Sequence, residues 1–276
     1  MSAEASSTAS DRRHFVLRRL HSLSGIVPVG LFLCIHLWTN SKAIQGQTCF
    51  DKAVDDINHL PYLPFVEVFG IFLPLAFHAG YGVKLALEAK PNVGAYGYGR
   101  NWLYVLQRIT GVIAFVFLVF HLKDFRIAKL LGQMTHHDFF GKPLGLQGQL
   151  GGESRLKALF YVLGTSASVF HFANGVRTFL FSWGVTIGTR AQRLAGFATL
   201  GLGAALWFMG MNTILFFATG GATFVPSSLV RGENGRDMCE DALVPTASHV
   251  PIPGPAAPLP AKNAPKAPVP VPSKAP

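Results

Sequence analysis

Five stretches of this 276-residue chain are each long and apolar enough to cross a lipid bilayer: Val16 to Thr39, Tyr62 to Leu87, Trp102 to Leu122, Leu156 to Phe181 and Arg193 to Thr219. At a rise of about 1.5 Å per residue, about 20 such residues cover a hydrocarbon core about 30 Å thick. No water is present in that core to pair with N–H and C=O groups, so a spanning segment of this length closes its own hydrogen bonds as an α-helix. The chain therefore reads as all-α, an integral membrane protein with five transmembrane helices. Composition agrees, since 50% of the residues are hydrophobic and only 14% charged, too apolar for an ordinary soluble domain. Arg12, Arg13, Arg18 and Arg19 open the first run in the manner of a signal peptide. That run holds His36 and Trp38 and lacks a small-residue cleavage site, so it reads as a retained helix.

An odd number of crossings puts the termini on opposite sides. Basic residues gather on the N-terminal side: the four arginines above, then Lys84, Lys90, Arg100 and Arg108, then Arg177, Arg190 and Arg193. The loop from Lys123 to Lys157, with six basic residues, votes the other way. The first helix usually dominates orientation, which places the N-terminus in the cytoplasm and the C-terminus across the membrane. The net charge of +10 then has a topological explanation and needs no nucleic-acid partner. Residues 1–15 read as a cytoplasmic segment, 16–220 as the membrane domain and 221–276 as a tail. From Pro251 that tail is Pro, Ala, Val and Lys without periodicity, the composition of a disordered segment. Cys34, Cys49 and Cys239 show no paired spacing, and no C-x-x-C-H is present. Cys49 and Cys239 pair only if both face an oxidising compartment; free thiols are the default expectation.

Four of the ten histidines fall inside the runs, one in each of the first four: His36, His78, His121 and His171. Ionisable side chains at membrane depth are costly and point to function. Their depths form a pattern. Helices one and three run outward and carry His36 and His121 near their ends; helices two and four run inward and carry His78 and His171 roughly two-thirds of the way along. Two pairs at two levels, each from different helices, suit a four-helix bundle that clamps two bis-histidine haems. Gly82 follows His78, and Gly175 follows His171, by one helical turn on the same face, leaving room for a flat ring. The competing readings are histidines that only bond neighbouring helices and a metal-ion transporter. The latter would cluster carboxylates with its histidines at one depth, whereas Glu67 is the one acid well inside a run.

The stretches RRLHSLSGIVPVG, LPLAFHAGYGV around His78, RNWLYVLQRITG and VFHFANG around His171 resemble the di-haem cytochrome b membrane-anchor subunit of bacterial succinate dehydrogenase. The resemblance extends from about Arg18 to Phe217 and includes the related fumarate reductases. It implies that His78 and His171 hold a proximal haem b and His36 and His121 a distal haem b. It implies partners as well: a flavoprotein with covalent FAD and an iron–sulfur protein on the cytoplasmic face of a bacterial membrane. Electrons from succinate would pass through them to a membrane quinone, menaquinone by this reading. The dicarboxylate chemistry would lie on the partner subunits.

Glu67, near the outer end of helix two, is the candidate for exchanging the quinone's protons, with a structural acid bonded to a neighbouring helix as the alternative. On the inner side Arg19, Lys84, Arg108 and Arg177 are candidates for haem propionates or for anchoring at the headgroups. His21 and Ser22 would bond a propionate or face the iron–sulfur subunit. Related fumarate reductases carry a glutamate two residues before the fourth ligand; Val169 stands there in this chain, which tilts the reading toward succinate oxidation.

Overall fold

The computed structural model describes residues 2–141, 143–152, 155–231 and 237–239. Among them are helices and turns and no strand. Five helices can cross a membrane: span one Asp11–Gln45, span two Leu63–Leu87, span three Gly99–Leu130, span four Arg155–Ser182 and span five Thr189–Thr219. Each contains most of one expected run. Their ends reach further than hydropathy suggests: span three continues past Leu122 to Leu130 through Lys123, Asp124 and Arg126. Span one is continuous with the helix Ser2–Ile26, which takes in most of the N-terminal segment.

Proline shapes two of the spans. Pro28 has no N–H and its ring crowds the carbonyl of Ser24, so span one breaks into the helices Ser2–Ile26 and Pro28–Ser41. In span two a widened π-helical stretch, Val66–Phe72, lies directly ahead of Pro74. A second π stretch, Leu122–Ile127, follows His121 in span three, with no proline to explain it. Such insertions are frequent at functional sites, and both lie at the end of the bundle remote from the N-terminus, called here the far end.

Spans one to four close a ring in which one packs on two and four, three packs on four, and two meets three; span five lies outside the ring against one and four. Large apolar side chains point outward all round, among them Leu31, Ile109, Leu163 and Leu200, each at least half exposed. In water such a surface would aggregate; in lipid it is solvated. With no hydrophobic drive between helices in lipid, close backbone approach supplies the packing. Gly164 of span four admits the ring of Phe117 so closely that a Cβ would lie 2.1 Å from it, and Gly210 of span five meets Thr165 in the same way at 2.8 Å.

The densest core is not in the middle of the bundle but at its far end. There Phe50 and Val54 of the helix Gln47–Asn58, Leu146 and Leu150 of a short helix, Phe140, Tyr161, Ile214, Phe216 and Phe217 form one buried cluster. Described residues beyond span five, Asp237 and Cys239 among them, lie against this cap. Asp237 accepts a hydrogen bond from the Thr48 N–H at 2.5 Å, capping the helix Gln47–Asn58. Gly46 makes this possible: its φ of 129° and the 2.2 Å that would separate a Cβ from Asp237 both exclude a side chain. Cys49 and Cys239 are joined in a disulfide, with Cα atoms 5.1 Å apart, so the default expectation of free thiols there is corrected. Sequence spacing could not reveal a pair separated by 190 positions. The rest of the Pro-rich tail lies outside the described residues.

The pairing predicts a labelling pattern. Denatured without reductant, the chain should take up one alkylating group, at Cys34; after reduction it should take up three. Three without reduction would rule out the bond.

Candidate functional site

Spans one to four surround a cavity of about 1550 Å³, beyond the roughly 300–1,000 Å³ of an ordinary small-molecule site. Its wall is mainly apolar, and all four membrane histidines line it. They meet in two pairs. The rings of His78 and His171 have centroids 6.1 Å apart at 83°, and those of His36 and His121 are 5.7 Å apart at 82°. The depth argument paired the same residues.

The first pair is held by a repeated device. His78 of span two lies against Gly25 of span one and donates from Nδ1 to the carbonyl of His21 at 2.9 Å. His171 of span four lies against Gly111 of span three and donates from Nδ1 to the carbonyl of Gln107, again at 2.9 Å. In each case the accepting carbonyl lies four residues before the glycine, one helical turn away. A Cβ would stand 2.3 Å from the His78 ring at Gly25 and 2.8 Å from the His171 ring at Gly111. A carbonyl can only accept, so Nδ1 of both rings carries the proton and Nε2 keeps a free lone pair. Gln107 is itself fixed, donating from Nε2 to the His171 carbonyl at 3.0 Å and accepting from Asn174 at 2.7 Å. The second pair is less tied: Asn40 donates to the His36 carbonyl at 2.8 Å, and Nδ1 of His121 is buried without a partner.

Gly82 and Gly175 line the cavity as expected, yet their nearest neighbours are side chains: a Cβ on Gly82 would meet His21 at 3.1 Å, and one on Gly175 would meet Gln107 at 3.5 Å. His21 departs most from expectation. Instead of standing at the membrane surface it stacks flat on His78, 4.1 Å between centroids at 7°. The reason is that span one begins at Asp11, which puts residue 21 some ten positions, or about 15 Å, along the helix. Ser22, Arg108 and Arg177 also line the cavity, whereas Arg19 and Lys84 lie away from it. Arg19 packs between Phe15 and Trp183, and Lys84 pairs with Glu88 at 3.7 Å. Arg108 stacks on Tyr104 and keeps a buried Nε without a partner, the kind of donor that an anionic group satisfies.

At the far end of the cavity Glu67 accepts a hydrogen bond from Arg126 at 2.7 Å, each side chain being about three-quarters buried. The two π stretches supply the pair, one residue each. Nearby, Lys157 meets Asp124 at 2.8 Å, and Lys129 donates to Asn58 at 3.0 Å. Val169 does not reach the cavity; it is buried against Leu37 and Leu206, so the position holds no proton-carrying group.

Sequence reasoning missed Gly25, Gly111, Gln107 and Arg126. A signal for the first three existed in HSLSG and QRITG, two polar residues each followed by glycine after four positions. None existed for Arg126, which hydropathy leaves in a loop.

The family model described as "Succinate dehydrogenase/Fumarate reductase transmembrane subunit" matches residues 89–210. A protein of Bacillus subtilis (strain 168) described as "Succinate dehydrogenase cytochrome b558 subunit" is 41% identical over 208 residues, covering 75% of this chain and 99% of that protein. The five-helix membrane fold and this coverage together show that the chain belongs to the succinate dehydrogenase/fumarate reductase transmembrane subunit family.

Proposed function

We propose that this chain is the electron-carrying membrane anchor of a succinate:quinone oxidoreductase and holds two b-type haems, one between His78 and His171 and one between His36 and His121. The observation that carries the reading is the spacing of the rings. An imidazole nitrogen lies about 2 Å from the metal it ligates and roughly 1.2 Å from its own ring centre, so two ligands facing across one iron have centres about 6.4 Å apart. The observed 6.1 Å is close to that span, and the 5.7 Å pair needs only a slight opening to reach it. The donor chemistry fits too, since His78 and His171 keep a free lone pair on Nε2 while Nδ1–H is tied to a carbonyl, as in histidines that ligate a metal. When bound, a bis-histidine haem supplies a one-electron redox centre with no open iron position.

The protein's own part is to hold, insulate and orient. Gly25 and Gly111 let the inner imidazoles lie against the neighbouring helix backbones, and Gln107 fixes one of them. Arg108, with its unpartnered Nε, is the propionate residue this geometry favours, with Arg177 and Ser22 beside it; His21 backs His78. The N-terminal end of the bundle, rich in arginine, faces the cytoplasm and receives the iron–sulfur subunit and, through it, the FAD-bearing flavoprotein. The disulfide at the far end supports that orientation, because such bonds persist in oxidising compartments.

Quinone reacts at the far end, beside Glu67 and Arg126. Glu67 takes or gives protons there, with Arg126 fixing its carboxyl group in place. Electrons that cross to this face move with the membrane potential, worth about 2.3 kcal/mol per charge per 100 mV. That contribution favours succinate oxidation by a low-potential quinone such as menaquinone.

Three outcomes follow. The isolated subunit should yield two equivalents of protohaem, and His78→Ala or His121→Ala should lose one; a full complement in either variant would remove that ligand assignment. Gly111→Val should displace His171 and change the redox midpoint or occupancy of the inner haem while leaving the outer one unshifted. Glu67→Gln should slow quinone-dependent turnover by about a hundredfold, the low end for a lost acid–base group. Succinate oxidation coupled to a soluble dye should stay unchanged in that variant, and equal loss in both assays would place Glu67 outside the quinone site.

A further inference from the structure

The far-end cap holds a cluster that electron transfer does not use. Asp55 lies on the helix Gln47–Asn58, and His136 and His137 lie on the turn His136–Asp138 packed against it. His136 Nε2 is 3.1 Å, and His137 Nδ1 3.8 Å, from Asp55 Oδ1. One donor atom from each of the three residues falls within 4.8 Å of the other two, so side-chain adjustments of about 1 Å bring them to the separation of about 3–4 Å that ligands take around one ion with bonds of about 2 Å.

The second observation is an unmet need. Oδ1 of Asp55 is itself shielded from solvent, though the side chain as a whole is about one-third exposed, and neither imidazole nitrogen beside it makes a hydrogen bond to it. Oδ1 of Asp51, one turn earlier on the same helix, is buried and unpartnered as well, and burial pushes the Asp51 carboxyl above its ordinary range. A buried acceptor left in this state is destabilising, and a cation between the Asp55 carboxylate and the two imidazoles engages it. Other nearby groups are already engaged. Asp138 accepts from the backbone N–H and the hydroxyl of Thr135 at 2.6 Å and 2.8 Å. His59 donates from Nδ1 to the Asp55 carbonyl at 2.8 Å.

Two imidazoles and one carboxylate form a donor set for a first-row divalent ion, whereas calcium and magnesium take oxygen ligands. We propose that Asp55, His136 and His137 bind one divalent transition-metal ion of the zinc class at the far-end cap. The ion ties the loop between spans one and two to the loop between spans three and four. Asn58, one turn beyond Asp55, meets Lys129 on the cavity wall, so the tie lies directly over the cavity's end. The site is independent of what the cavity holds.

The test is a titration of the chelator-stripped, detergent-solubilised complex with Zn²⁺ against a chromophoric competitor. The wild type should bind one more equivalent than the double variant His136→Ala/His137→Ala, and Asp55→Asn should weaken that equivalent by about tenfold or more. Equal stoichiometry and affinity in all three would overturn the proposal. Zinc K-edge absorption on the wild-type complex needs no variant to fold: imidazole scattering from two ligands supports the site, and an all-oxygen shell overturns it.

Discussion

The contact on which this architecture depends is the hydrogen bond from an imidazole Nδ1–H to a helix carbonyl one span away. In hydrocarbon a histidine has no water to satisfy it, and an orphaned polar atom costs about 1–3 kcal/mol. His78 and His171 avoid that cost by leaning on spans one and three at His21 and Gln107. The same bond sets the tautomer, leaves the Nε2 lone pair free and joins neighbouring helices. Glycine is needed opposite each ring because only a bare backbone lets the imidazole come close enough to its carbonyl. One interaction thus serves helix packing and the chemistry of the site together.

A hollow bundle asks for stability elsewhere. Spans one to four leave their centre to a cavity, so helix contact is concentrated at the glycine-mediated approaches of spans three, four and five and in the aromatic cap at the far end. Span five contributes no membrane histidine; it buttresses spans one and four and brings Phe216 and Phe217 into the cap. Carbonyl-bound histidines at one end and a densely packed cap at the other hold the walls apart at a fixed width.

What the sequence makes readable here follows from how strongly lipid constrains a chain. The five spans and the two histidine pairs are visible because apolar length fixes the helices, and depth then fixes which side chains share a level. The resemblance carried by the motifs around His78 and His171 points to the family in which the chain is found. Span ends are less visible, since Lys123, Asp124 and Arg126 continue a helix that hydropathy would stop. The Glu67–Arg126 pair depends on two π stretches, and one of them has no sequence mark. The depth of His21 is not readable either, because the helix begins about a turn and a half before the apolar run does. The Cys49–Cys239 bond joins segments far apart in the chain, information that periodicity does not contain.

The cap fastened by that bond bears on how the molecule is made. Cys239 follows the fifth crossing in the chain, while Cys49 follows the first. Synthesis runs from the N-terminus, so the clasp has no second half until insertion is complete. The aromatic cap is therefore fastened to the last segment only after all five crossings have been made.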